Sequence, residues 1–474
     1  MRIALWIHLA LAGALAAQPF DLVVAGGRVI DPESGLDAVR HVGLRGGRIA
    51  AVSATPLRAA RTLDARGLVV APGFIDLHAH GQDLENQRLQ ARDGVTSALE
   101  LEIGGYDIDA WYREREGRRL IHSGVSAGHA PARIQVFQDP GRDLPSGDGA
   151  RRAASAEQIT MVKAAVERGL KRGAVGVGFG IQYTPAASRW EILEVFRVAG
   201  RLKAPVFVHI RHMGAAEPDA LNALEEVIAA ASVTGAPLHV VHITSSGLGQ
   251  TPLLLQTIGE ARQRGLDITT ECYPYNAAMT ALESAMFDPG WQQVLGIGFD
   301  RLEWTATGER LTEASFARYR KQGGMVIMHM IPDAAVEQAV ASPLTLIASD
   351  GVLRGGKGHP RGAGTFARVL GLYARDKQLL TLPRAVEKMT LLPARRLETY
   401  VPDMKRKGRV QAGADADLTI FDPARVRDRA TFQQPAQASE GIEYVLVKGV
   451  LVVERGTLRD DVRPGEAIRA PLRE

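Results

Sequence analysis

Two histidines one residue apart, His78 and His80 in the run FIDLHAH, are the first side chains whose type and spacing point to chemistry. Residues i and i+2 of an extended segment face the same side, so both imidazoles can bind one cation with the nitrogen donors that zinc takes. An isolated His-x-His is commonly no more than a pair of surface histidines. Two later histidines change that reading, because His209 closes the apolar run APVFVHI and His242 closes APLHVVHI. Their separation matches one strand and helix of a parallel α/β repeat, which presents both at one height. Asp350 closes LTLIASD, where a carboxylate can bind metal and take a proton from water. These five residues read as a site for one or two divalent cations, zinc being expected, with Asp350 as the general base. His239 and His212 are set aside, since a period of two turns each away from the neighbouring histidine. His41, His122, His129 and His329 are expected as core or surface histidines.

Those side chains need strands to carry them. Ser155 and Gln158 form a capping box for a helix that should end near Gly173, and the strand-like GAVGVGFGI follows. A helix from about Trp190 to Leu202, the run APVFVHI, a helix from Pro218 to about Ser232 and the run APLHVVHI come next. TPLLLQTIGEARQRG should be helical, and LDITTECY and PLTLIASD should be strands. Strand and helix alternating at roughly 30 residues predict a parallel sheet, and about 320 residues suit a (β/α)8 TIM barrel with insertions. A doubly wound open sheet is the competing architecture, but no GxGxxG or GxxxxGKS/T loop stands at a strand-to-helix turn.

Short β-branched runs broken by glycine fill residues 18–70, as in FDLVVAGGRVID, and the same grammar returns over 398–474 in GRVQAGADADLTIFDP and IEYVLVKGVLVVERG. A small β-sandwich built from both chain ends, flanking a barrel over 71–397, would explain that pattern. The stretch from about 279 to 324 is too long for an ordinary loop and predicts a partly helical lid over the site.

Composition fits this plan. The 474 residues are 46% hydrophobic and 23% charged, with a mean hydropathy of −0.06, which suits several compact units and excludes fibrous or disordered classes. Lys and Arg outnumber Asp and Glu by 57 to 53. The basic residues from Arg113 to Arg119 alternate with Glu114 and Glu116, the pattern of a solvated helix face, so no nucleic-acid partner is expected. Residues 1–17, MRIALWIHLALAGALAA, carry the positive start, apolar middle and small-residue end of a cleaved export signal, too short to span a lipid bilayer. A periplasmic or secreted location is the expectation, with no membrane span. Cys272 is the single cysteine, so no intramolecular disulfide forms.

Together these residues resemble the amidohydrolase superfamily over about Phe20 to Gly456, and within it the N-acyl-D-amino-acid deacylases, also called D-aminoacylases. The likeness is carried by FIDLHAH, by the histidines of the fifth and sixth strands and by Asp350 on the eighth. ECYPY at 271–275, HPRGAGTFARVLGLYARD at 359–376, KMTLLPARR at 388–396 and the GADADLTIFDPARV run after Gly408 add to it. The resemblance implies a zinc-type metal site, hydrolysis of an amide bond, and Arg361 holding the carboxylate of a small-molecule substrate. Tyr273 would donate to the oxyanion or to that carboxylate.

Departures from the family pattern matter as much. Such deacylases commonly end the second strand in Gly-Asn-Cys-Gly with the cysteine on metal, whereas this chain has GVTSALELEIGG. Glu100 and Glu102 share one face there, and Glu102, nearer the barrel mouth, is expected to bridge two cations. GAVGVGFGIQYTP holds no lysine, which speaks against a carboxylated-lysine bridge and so against a cyclic-amide hydrolase of the hydantoinase type. Thr244 stands where the family has a lysine in the substrate pocket, and Met279 where it has a serine. The expected function is metal-dependent hydrolysis of N-acyl amino acids, N-acyl-D-amino acids among them. A dipeptidase, a carboxypeptidase or an N-acyl-L-amino-acid hydrolase of the superfamily would share these features. An inactive binding protein should have lost ligand positions, and none is lost.

Overall fold

The computed structural model describes residues 20–474, so the expected export signal lies outside the described residues. Five strands open the chain: β1 (Phe20–Asp31), β2 (Leu36–Arg45), β3 (Arg48–Ser53), β4 (Ala59–Asp64) and β5 (Val69–Pro72). Seven parallel barrel strands follow: β6 (Phe74–Asp76), β7 (Val95–Gly105), β8 (His122–Gly128), β9 (Val177–Gly180), β10 (Val206–His209), β11 (Leu238–Val240) and β12 (Ile268–Cys272). An inserted antiparallel sheet, β13 (Ala278–Ala281), β14 (Leu302–Trp304), β15 (Glu309–Arg310) and β16 (Met325–Met328), interrupts the series. The eighth barrel strand is β17 (Thr345–Ile347), and the hairpin β18 (Leu353–Arg354) and β19 (Lys357–Gly358) follows it. The chain ends in β20 (Leu418–Phe421), β21 (Ile442–Val447), β22 (Val450–Glu454) and β23 (Thr457–Leu458).

The barrel sheet runs β17-β12-β11-β10-β9-β8-β7-β6. Its ends meet through backbone beyond the strands, where Asp350 N donates to His78 O at 2.7 Å and His80 N to Gly351 O at 3.0 Å. The seam that closes the barrel is therefore the segment that carries His78, His80 and Asp350. Crossover helices start where the sequence supplies caps. Ser155 and Gln158 complete a reciprocal capping box on the helix Ala156–Lys171, and Ser188 and Asp219 cap the helices Arg189–Leu202 and Ala220–Thr234.

Strand β5 joins the two chain ends. It pairs parallel with β1 and antiparallel with β20, so both termini build one nine-stranded sheet. Alternation along it serves two cores. Val70 packs with Val24, Leu418 and Ile420, while Val69 and Ala71 face the main core of the barrel. The insertion folds as the sheet β13-β16-β14-β15 with helices Trp291–Leu295 and Glu313–Gln322, and Met279, Thr280 and Met325 from it form one wall of the cavity over the barrel mouth. Among the described residues no helix is long and apolar enough to cross a membrane.

Candidate metal centre

At the barrel mouth one carboxylate, that of Glu102, is shared by four imidazoles. Its Oε2 lies 3.2 Å from His78 Nε2 and 3.1 Å from His80 Nε2, and its Oε1 lies 2.6 Å from His209 Nδ1 and 3.3 Å from His242 Nε2. Asp350 Oδ1 faces the first pair, 3.5 Å from His78 and 3.3 Å from His80. The donors thus form two groups joined at Glu102, one of His78, His80, Glu102 and Asp350 and one of Glu102, His209 and His242. Glu100, two residues earlier on β7, takes a different place. Its Oε2 meets His80 Nδ1 at 2.8 Å, and its Oε1 accepts from the backbone of Ile103 and Gly104.

The partners behind the histidines set which nitrogen carries the proton. Glu271 accepts from His78 Nδ1 at 2.6 Å, Glu100 from His80 Nδ1, and Gln182 Oε1 from His209 Nε2 at 2.6 Å. Each neutral ring is left with a lone pair aimed inward. His78 Nε2 and His80 Nε2 then stand 3.2 Å apart and face the oxygens of Glu102 and Asp350. Electron-rich atoms converging in a buried space repel one another unless a positive charge sits between them. Burial works to lower the pKa of His78, yet Asp350 and Glu102 push it up to about 10, which expresses the same need for positive charge. Nitrogen and oxygen donors around that space fit one or two divalent cations of the zinc class.

Two of the converging residues have unusual backbones. His242 has φ +31° and Asp350 φ +51°, the left-handed region that side-chain-bearing residues seldom adopt. The turn at His242 follows directly on β11, and it corrects the parity reading of His239. That residue lies on the inward face below the site, with Nε2 3.0 Å from Glu271 Oε2 and Nδ1 2.7 Å from Thr269 Oγ1. His239 is outside both donor groups, but it steadies the carboxylate that holds His78. Sequence reasoning missed Gln182, Glu271 and His239 as supports. ECYPY marked Glu271 as a motif residue, yet a side chain that only orients another leaves no spacing signal of its own.

Arg361 has a partner the sequence did not reveal. Its Nη2 donates to Asp350 Oδ2 at 2.9 Å, and the guanidinium stacks 4.5 Å over the Tyr273 ring. The residue is 1% exposed. Its Nε and Nη1 find no acceptor, although Arg361 lines the cavity. Burial would raise the Asp350 pKa, but Arg361 and His78 hold it well below the usual carboxylate range. The cavity is about 610 Å³ and is lined by His80, Glu102, His242, Asp350 and Arg361 together with Ile103, Tyr183, Met279 and Val352. Tyr273 and Thr244 lie outside that lining. Tyr273 supports Arg361 from below, and Thr244 is sealed in the turn after His242, its hydroxyl without a partner.

Residues 105–453 match the model of the amidohydrolase family. The chain belongs to this family. It is a metal-dependent amidohydrolase, a hydrolase of C–N bonds. D-aminoacylase of Alcaligenes xylosoxydans xylosoxydans is 32% identical, over 92% of this chain and 95% of that one. N-acyl-D-glutamate deacylase of the same organism is also 32% identical, over 95% and 97%. The crystal structure of N-acyl-D-glutamate deacylase from Bordetella bronchiseptica, complexed with zinc and a phosphonate inhibitor, superposes with a TM-score of 0.81 at 28% identity and covers 96% of this amidohydrolase and all of that chain.

Proposed function

We propose that the protein hydrolyses N-acyl amino acids, those of D configuration above all, with two zinc-class cations. His78, His80 and Asp350 would hold one cation and His209 and His242 the other, with Glu102 as the bridge where deacylases of this kind commonly use a cysteine. The observation that carries the reading is the division of the Glu102 carboxylate, one oxygen toward each donor group. Such cations, when bound, lower the pKa of a water to about 7 and polarise the scissile carbonyl.

The protein side of the reaction follows from Asp350 and Arg361. Asp350 Oδ1 faces the metal-binding nitrogens and Oδ2 is tied to Arg361, so the carboxylate is fixed in orientation. It takes a proton from the attacking water and returns it to the nitrogen as the C–N bond breaks. The remaining N–H groups of Arg361 suit the substrate carboxylate, a planar match that lysine lacks. Arg361 is the buried guanidinium of the cavity, because Arg142 and Arg354 stand exposed at its rim. With Met279, Ile103 and Val352 as walls, the cavity therefore suits a neutral amino-acid side chain better than a second carboxylate.

The test is a hydrolysis panel of paired D and L N-acetyl amino acids and dipeptides, run with zinc content measured on the same samples. Turnover of N-acetyl derivatives of apolar D-amino acids at about two cations per chain is the expected result. Turnover confined to dipeptides or L substrates, or full activity without metal, would overturn it. The export signal read in residues 1–17 supports a periplasmic or secreted location, and N-terminal sequencing of protein from culture fractions tests that.

A further inference from the structure

Among the described residues most other buried cations are matched by carboxylates. Arg133 faces Glu191, Lys407 faces Asp417, Arg409 faces Glu33 and Arg361 faces Asp350. Arg119 is different. It is 4% exposed, and among the described residues no carboxylate lies within ion-pair distance of it. Its guanidinium reaches only neutral acceptors, Nε to Ser123 Oγ at 2.9 Å and Nη2 to the Tyr112 carbonyl at 3.0 Å. Lys388 also lacks a carboxylate, but it donates to Ser342 O and Thr345 Oγ1 and lines no cavity described here. Arg119 does open onto one, a cavity of about 540 Å³ on the barrel flank.

Three more arginines, Arg115, Arg118 and Arg463, line the same space, which lies between the helix Leu84–Arg92 and the segment after the helix Ile108–Glu114. Among the described residues Arg118 has no ionic or hydrogen-bonding side-chain partner, and Arg115 is stacked on Trp111 with its Nε unbonded. The opposing charge is small. Asp83 caps the helix Leu84–Arg92 through Oδ1, and Glu114 is exposed and 3.5 Å from Arg115, so two carboxylates stand against four arginines. Asp460, beside Arg463, already forms a two-bond pair with Arg88. Burial lowers the pKa of both Arg115 and Arg119, in keeping with guanidinium groups that have lost water and gained little counter-charge.

We propose that this flank cavity binds a free, compact, multivalent oxyanion of the phosphate class, with Arg119 at its base and Arg118 and Arg115 closing over it. Guanidinium forks match tetrahedral oxyanions through paired hydrogen bonds, and the anion would supply the charge that Arg119 lacks. The site is separate from the metal centre, although Gln82, which lines it, donates to the carbonyl of Ala79 between His78 and His80.

The test is titration calorimetry of the metal-loaded enzyme with inorganic phosphate and with pyrophosphate, at matched ionic strength. Saturable binding is expected, and Arg119→Gln and Arg118→Ala should each weaken it about 10-fold, the worth of one charge-assisted hydrogen bond. Arg118 is exposed, so its variant folds and keeps the test sound if Arg119→Gln does not. Because a metal centre can also take phosphate, Arg361→Lys is titrated in parallel and should leave the affinity unchanged. No binding at about 10 mM phosphate, far above the Kd of a useful site, would overturn the proposal. So would binding that is lost in Arg361→Lys but kept in Arg118→Ala.

Discussion

Glu102 and Glu191 are both buried carboxylates set among imidazole and other polar groups, and only one of them marks a site. Glu191, on the helix Arg189–Leu202, takes Arg133 Nη1 on both oxygens at 2.7 and 2.6 Å and His129 Nε2 at 2.9 Å. Arg133 completes its shell on the carbonyls of Gly149 and Arg152, each at 2.6 Å. Negative and positive charge balance there, and the cluster pins two crossover helices together. Around Glu102 the balance fails. Two carboxylates meet four imidazoles, and on three of these, His78, His80 and His209, the proton is drawn outward by Glu271, Glu100 and Gln182, so lone pairs face lone pairs. Burial and charge are the same in kind. What separates a binding centre from a structural tie is that its own groups leave a charge unmet.

The largest effect should come from breaking the balanced cluster. Glu191→Gln leaves Arg133 buried without its counter-charge, which should cost about 3 to 5 kcal/mol of stability. Denaturant midpoints check the loss, and turnover per folded molecule should be largely kept. If the variant is as stable as the parent, the cluster is not the tie described. The same pair gives a pH signature. Burial would raise the Glu191 pKa, but His129 and Arg133 hold it below its ordinary 4.5. A carboxyl with a depressed folded pKa contributes stability above its unfolded pKa and loses it as pH falls through the folded one. Acid unfolding should therefore begin below about pH 4.5, and Glu191→Gln should flatten that limb.

Next in size is Asp350→Asn. If Asp350 is the proton acceptor proposed above, its loss should lower kcat on the order of 100-fold or more while the other donors stay in place. Metal content should stay close to that of the parent. Near-normal kcat would move the base role to another group.

The fold was readable because each crossover carries its own signals. Ser155 with Gln158 announced one helix, and the runs ending in His209 and His242 announced two neighbouring parallel strands. The return of glycine-punctuated β runs after Gly408 likewise pointed to one β domain built from both chain ends, which folds as one nine-stranded sheet. The site was readable where a residue type and a strand end coincide. It was not readable where three-dimensional proximity alone assigns a partner. Arg361 lies eleven positions past Asp350, at the start of the helix Arg361–Arg368, and only folding shows that its first contact is that carboxylate. His239 was misread because the period of two stops with β11 at Val240, and His242 lies beyond it in a left-handed turn.

The finest test of the contrast lies in the supports of the first histidine pair. Glu271 is buried between His78 and His239, which together hold its pKa down to about 2 against the upward pull of burial. It fixes one ligand from the barrel interior, where little water screens the interaction. Glu271→Gln keeps an acceptor for His78 Nδ1 but loses the charge, and by the usual worth of such a partner should weaken metal binding about 10- to 100-fold. Glu100 makes the same contact with His80, but that imidazole is 22% exposed and Glu100 12%, at the edge of the cavity. Solvent there screens the charge, so Glu100→Gln should cost less, about 10-fold or below. Competition with a chelator measures both without relying on turnover. If Glu100→Gln releases metal more readily than Glu271→Gln, then Glu100 contributes to the cation directly, and the division of labour between the two glutamates of β7 is wrong.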